Sequence, residues 1–201
     1  MKLLIATKNP GKVREMRELL APEAARGLEV LTLADFPSVP DPVEDAGTFA
    51  ENARIKALAY AEALGVLCIA DDSGISVEPL GGRPGVHSAR YAGPDATDED
   101  NNALLLSELA AVSKPWPAAY FCVAVAAVPG KVIAEGRGII RGRITAHRAG
   151  TGGFGYDPYF VVEGRVETMA ELTPETKNRI SHRGQAMRAL VGTLRELGAL
   201  E

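Results

Sequence analysis

The stretch TFAENARIKALAYAEALGVLCIADDSGISV, Thr48 to Val77, carries most of the fold information in this chain. Thr48-Phe49-Ala50-Glu51 has capping-box spacing, in which the Thr hydroxyl and the Glu carboxylate satisfy free backbone donors at a helix start. An alanine-rich helix follows and stops at Gly65, a residue suited to a left-handed cap. Val66 to Ala70 is a continuous apolar run, the pattern of a strand covered on both faces and therefore central in a sheet. Asp71-Asp72-Ser73-Gly74 comes next, either extended or a solvated acidic turn, and then a short strand, Ile75 to Val77. A helix feeding a doubly covered strand is the unit of an α/β protein.

The flanking sequence extends that pattern. Lys2 to Ala6 reads as a strand that runs through Thr7-Lys8-Asn9-Pro10-Gly11 into a helix. Val13, Met16, Leu19 and Leu20 of that helix share one face, and Pro22 closes it soon after. Leu28 to Leu33 is a second strand, and Asp35 to Gly47, rich in proline and acids, is a loop. Thr97 to Asp100 opens a further helix with acids where the helix dipole favours them. Ala119 to Val128 and Lys131 to Glu135 flank Pro129-Gly130 as a hairpin, and Gly136 to Ile144 continues extended. Tyr159 to Val162 is a strand, and Thr173-Pro174 starts a short helix. Ser181 precedes a last helix with a core stripe of Met187, Leu190, Val191, Leu194 and Leu197. Alternating helices and strands followed by paired strands predict an α/β fold with a mixed sheet.

Composition narrows the function. The chain has 201 residues, 46% apolar and 24% charged, which is ordinary for one globular domain and excludes a disordered chain. Its 22 basic and 26 acidic residues give a net charge of −4, which argues against a polynucleotide-binding face or a membrane-surface binder. The longest apolar run, Ala118 to Val128, falls short of the roughly 18 residues a transmembrane helix needs. The amino terminus lacks the pattern of a secretory signal. Cys68 and Cys122 both lie in apolar stretches and read as buried free thiols in a reducing, cytoplasmic compartment.

Four segments carry chemistry. Thr7 to Lys12 joins a strand to a helix amino terminus, where free N–H groups and the dipole favour a phosphate and Lys12 adds a full charge. It is not a Walker A loop, because Ala6 stands where a glycine is required and Val13 replaces Ser or Thr. Asp71-Asp72-Ser73 follows a buried strand; adjacent carboxylates there point to opposite faces, so one can serve a metal or a water while the other anchors the chain. Gly150 to Gly155 matches G-x-G-x-x-G, yet a strand rather than a helix follows, so the dinucleotide reading fails. What remains is a pliable loop presenting Phe154, Tyr156 and Asp157, suited to a flat heterocycle. Lys177, Ser181, His182 and Arg183 place donors for keto oxygens and phosphates near a helix start. Each segment alone also fits an ordinary turn, capped helix or packing loop. Together they form the parts of a nucleoside triphosphate hydrolase site.

Five segments occur in the order typical of one family: Thr7 to Lys12, Asp71 to Gly74, Gly81 to Tyr91, Gly150 to Asp157, and Ser181 to Arg183. By these the chain, from Met1 to about Gly198, resembles the inosine triphosphate pyrophosphatases. The resemblance implies an elongated mixed β-sheet flanked by helices, in two lobes with a central substrate cleft, forming one domain over residues 1–201. It also implies a cytoplasmic homodimer that uses Mg²⁺ to cleave ITP, dITP or XTP to the monophosphate and pyrophosphate. Carried over by motif, Thr7, Lys8, Asn9, Pro10, Gly11 and Lys12 would contact the triphosphate. Asp72 would be general base and metal ligand, and Ser73 would lie beside the substrate. Phe154, Gly155, Tyr156, Asp157, Lys177, His182 and Arg183 would bind the nucleotide. Glu44 would be the second metal ligand, although the loop Val43 to Phe49 is one residue shorter than the commoner pattern and leaves Asp45 open too. Lys12, Lys177, His182 and Arg183 are expected to form a positive pocket for a small polyanion. Rival readings are a pyrophosphatase for modified pyrimidine or canonical nucleotides and a non-enzymatic nucleotide-binding protein.

Overall fold

The computed structural model describes residues 1–200. The chain begins with β1 (Lys2–Ile5), α1 (Pro10–Ala24) and β2 (Glu29–Thr32), then α2 (Phe49–Leu64) and β3 (Leu67–Val77). It continues through α3 (Asp98–Leu109), β4 (Trp116–Val128), β5 (Lys131–Ile144) and β6 (Phe160–Val162) to α4 (Pro174–Ile180) and α5 (His182–Glu196). The strands form one six-stranded sheet in the order β2-β1-β3-β4-β5-β6. β1 runs parallel to β2 and β3, whereas β5 and β6 are antiparallel, so the sheet is mixed and the fold is α/β. The two-residue connection Pro129-Gly130 makes β4 and β5 a hairpin.

The chain divides into two compact units: residues 1–72, 122–138 and 183–201, and residues 73–121 with 139–182. In the first unit, strand alternation sorts side chains between two cores. Leu3, Ile5, Ile69, Cys122, Ala124 and Ala126 pack with Met16 and Leu20 of α1 and with Met187, Leu190 and Leu194 of α5. Leu4, Ala6, Cys68, Ala70, Val123 and Val125 turn the other way and pack with Ala53, Ala57, Tyr60 and Ala61 of α2. The first unit is thus a sheet covered on both faces, as the apolar run before Asp71 requires. The second unit has its own core around Ile75, Leu105, Trp116, Ile144, Phe160 and Met169.

Local signals act where expected. Thr48 accepts from the Glu51 N–H at 3.2 Å, and Gly65 closes α2 at φ 67°. Thr97 and Asp100 form a reciprocal capping box on α3. Three expectations need correction. Val66 to Ala70 and Ile75 to Val77 are not separate strands; β3 runs unbroken from Leu67 to Val77, with Asp71 paired inside the protein. Pro22 does not end α1, which continues to Ala24; so near a helix end, the missing N–H removes a single backbone bond. Leu197 lies beyond the end of α5 and is largely exposed rather than part of the core stripe.

Candidate active site

The acidic doublet at Asp71 and Asp72 sits on a strand, so the two side chains part to opposite faces of the sheet. Asp71 follows Ile69 toward α1 and α5 and is fully buried. Its Oδ2 accepts from Arg183 Nε and Nη2 at 3.2 and 3.1 Å, and its Oδ1 lies 3.2 Å from Lys12 Nζ. Arg183 Nη1 reaches Glu15 Oε2 at 2.5 Å, which closes a buried network of two acids and two cations. Burial alone would raise the Asp71 pKa, but Lys12, Arg183 and Lys56 outweigh it and hold the carboxyl far below the usual range. Asp71 is therefore a fixed anion whose charge is already used.

Asp72 follows Ala70 toward α2 and is only half-buried. Asn52 Nδ2 donates to its Oδ2 at 3.2 Å. Burial pushes its pKa up, and Asp71 adds to the rise, against the opposing pull of Lys12, Lys56 and the Asn52 hydrogen bond. A neighbour that keeps its charge and a carboxyl that holds a proton more readily than usual are the pairing expected of a base and its anchor.

Lys56, one turn beyond Asn52 on α2, donates to the Asp71 carbonyl at 3.1 Å and pairs with Glu44 Oε2 at 2.6 Å. Of the two acids left open by the sequence, Glu44 is half-buried in this contact, whereas Asp45 is exposed. Asp72 and Glu44 are hard oxygen donors, and two carboxylates match the sparse set a Mg²⁺ ion takes from protein, leaving its other positions to water and phosphate. Among the described residues no three His, Cys, Asp or Glu side chains are gathered into a metal cage.

At the start of α1, the Asn9 side chain accepts from the Lys12 N–H at 3.1 Å and the Thr7 hydroxyl accepts from the Asn9 N–H at 3.2 Å. Asn9 is thus the helix cap and Pro10 the first helical residue, where a missing N–H costs nothing. Lys8 points elsewhere, pairing with Asp41 at 2.7 Å, and Asp41 also accepts from the Tyr60 hydroxyl at 2.6 Å. A groove of about 670 Å³ lies beside this segment, lined by Thr7, Lys8, Pro10, Arg14 and Arg17.

In the second unit the glycine loop is built around Asp157. Its carboxylate accepts from the Phe154 N–H at 2.9 Å and from Lys177 Nζ at 2.5 Å, and a side chain at Gly153 (φ 72°) would run into it. Asp98 accepts from the Gly155 N–H at 2.6 Å while Asn102 Nδ2 donates to the Gly155 carbonyl at 2.9 Å, so α3 holds the loop by both backbone groups. Phe154 is half-buried, with Lys177 Nζ 5.1 Å from its ring centre, and lines a cavity of about 500 Å³. Tyr156 does not stand beside it; its ring is in the core and its hydroxyl donates to the Ser88 carbonyl at 2.8 Å. His182 is buried and stacked on Tyr120 at 4.6 Å.

Lys12 and Arg183 meet on Asp71, and Lys177 is paired with Asp157, so each of these three cations has an acid partner in contact. Sequence reasoning missed Glu15, Asn52, Lys56, Asp98 and Asn102. One signal was available for two of them: Asn52 and Lys56 interrupt the inward stripe of α2 at i,i+4, where an alanine-rich helix has no need of polar groups.

Residues 3–193 match the model of the Ham1 family. The chain belongs to the Ham1 family. This Ham1 chain is 51% identical over 189 residues to the dITP/XTP pyrophosphatase of Geobacillus kaustophilus, covering 94% of this chain and 91% of that protein. It is 46% identical over 197 residues to the dITP/XTP pyrophosphatase of Streptomyces coelicolor, covering 98% of each. Among solved structures it is similar to a HAM1 protein from Coxiella burnetii, with a TM-score of 0.85 and 38% identity over 98% of this chain and 99% of that one.

Proposed function

We propose that this Ham1-family chain hydrolyses non-canonical purine nucleoside triphosphates (ITP, dITP and XTP) to the monophosphate and pyrophosphate, removing them from the nucleotide pool. The observation that carries the reading is the Asp71–Asp72 pair, one carboxylate locked by buried cations and the other half-exposed with a raised pKa. Near full-length likeness to dITP/XTP pyrophosphatases supports it. The α1 amino terminus with Thr7, Asn9 and Lys12 receives phosphate oxygens, with Lys8, Pro10 and Gly11 shaping the turn. Asp72 takes a proton from water, whose oxygen forms a bond to the α-phosphorus as the bond to the departing pyrophosphate breaks. Asp72 and Glu44 would hold Mg²⁺, which supplies charge neutralisation on the phosphates when bound. Ser73 lies next along the chain from Asp72. Phe154 offers a ring to the base, with Gly155 allowing close approach. Asp157 and Lys177 keep that loop in shape, and Tyr156 anchors it to its core.

His182 and Arg183 remain assigned to the base edge. A donor aimed at the 6-keto oxygen accepts hypoxanthine and xanthine and meets a donor in adenine. The reading treats residues 1–201 as one catalytic domain, acting as a cytoplasmic homodimer. The buried free thiols Cys68 and Cys122 support the compartment, and the resemblance supports the dimer. The test is pyrophosphate release from ITP, dITP, XTP, GTP, ATP and UTP with Mg²⁺. Preference for the first three is expected; preference for UTP or ATP would favour a different house-cleaning enzyme. Asp72→Asn is expected to slow turnover by about a hundred- to ten-thousand-fold with the melting curve unchanged. Near-wild-type activity would remove Asp72 from the chemistry.

A further inference from the structure

Asn52 sits near the start of α2 on its inward face and is 2% exposed. Both hydrogens of its amide and its oxygen are engaged. Oδ1 accepts from the Ala46 N–H at 3.0 Å, and Nδ2 donates to the Ala46 carbonyl at 3.2 Å and to Asp72 Oδ2 at 3.2 Å. Asn52 thus grips both backbone groups of one loop residue, as a neighbouring strand would, and spends its last hydrogen on the carboxylate.

The loop that Ala46 belongs to has no regular structure from Phe36 to Gly47. Its backbone cannot fix its own shape, so side chains from a rigid element must do it. α2 does so at two points on one face: Asn52 grips Ala46, and Lys56 pairs with Glu44 at 2.6 Å. The same two side chains hold β3, Asn52 at Asp72 and Lys56 at the Asp71 carbonyl. A helix face thereby sets the loop carrying Glu44 in register with the strand carrying Asp72.

We infer that Asn52 is a positioning residue: it holds Asp72 in its working orientation and fixes the Glu44 loop beside it. The inference rests on the proposed roles of Asp72 and Glu44. Asn52 acts through them and touches no substrate. An aspartate at this position would still accept from Ala46 but would have no hydrogen to give Asp72, and an alanine would lose all three bonds. The two substitutions therefore separate the grip on the loop from the grip on the carboxylate.

The experiment uses full-length wild type, Asn52→Ala and Asn52→Asp, each checked by thermal melting. Three quantities are read: amide hydrogen exchange at Ala46, the Mg²⁺ concentration for half-maximal pyrophosphate release from XTP, and kcat and KM at saturating Mg²⁺. Asn52→Ala is expected to speed exchange at Ala46 about tenfold relative to the rest of the chain. It should also raise the Mg²⁺ requirement or lower kcat by about 10- to 100-fold, with KM for XTP little changed. Asn52→Asp should keep much of the Ala46 protection and still lose kcat. Unchanged Ala46 exchange and turnover in Asn52→Ala would overturn the inference, as would faster exchange spread evenly over α2 and β3 in both variants. Absence of pyrophosphate release from wild type would instead remove the functional reading on which the inference rests, while altered Ala46 exchange would still establish the tether.

Discussion

Asp71 and Asp72 are neighbours in sequence with opposite fates. Asp71 gives its charge to Arg183 and Lys12 inside the protein, and Asp72 keeps a half-exposed carboxylate held by Asn52. Removing one member of a buried ion network leaves the others uncompensated, and such a break costs about 3–5 kcal/mol. Asp71→Asn is therefore expected to lower unfolding free energy by that order in chemical denaturation, whereas Asp72→Asn should leave it nearly unchanged. Equal effects on stability from the two would contradict the division of labour. The acidic doublet and its alternation were legible in the sequence. The partners were not, because Arg183 lies 112 residues from Asp71 and 168 from Glu15, and no local pattern links them. Arg183, which its motif offers as a base-edge donor, also pairs with two acids.

At the level of elements, the caps at Thr48 and Thr97 and the stop at Gly65 were visible because helix ends follow local backbone bonding. The continuity of β3 through Asp71-Asp72-Ser73-Gly74 was hidden, since a turn-like composition was overridden by pairing made elsewhere in the fold. Close packing leaves a similar trace at Gly136 of β5. A β-carbon there would meet the Ala186 carbonyl and the Leu190 backbone of α5, so the strand and the helix touch through the missing side chain. Gly136→Ala is expected to destabilise the first unit by about 1–3 kcal/mol, read as a shift of the urea midpoint at unchanged slope. An unshifted midpoint would show that α5 can move away at no cost.

For the whole molecule, the net charge of −4 argues against a polynucleotide-binding face, yet it hides how charge is arranged. The acids that balance Lys12, Arg183 and Lys177 stand in contact with them. This leaves Asp72 and Glu44 as the carboxylates the proposed chemistry uses, with Glu44 paired to Lys56. Chelation of divalent metal is accordingly expected to abolish turnover and leave the melting temperature close to its starting value, because cores on both faces of the sheet carry the fold. A large fall in melting temperature on chelation would make the metal structural instead.

The proposed reaction is hydrolysis between the α- and β-phosphates by water that Asp72 activates. The direct measurement is single-turnover product analysis of XTP with Mg²⁺ in ¹⁸O-labelled water, wild type against Asp72→Asn. Labelled XMP and unlabelled pyrophosphate are expected in equal amounts from wild type, and neither from the variant on the same timescale. Orthophosphate with XDP as the first products would contradict it.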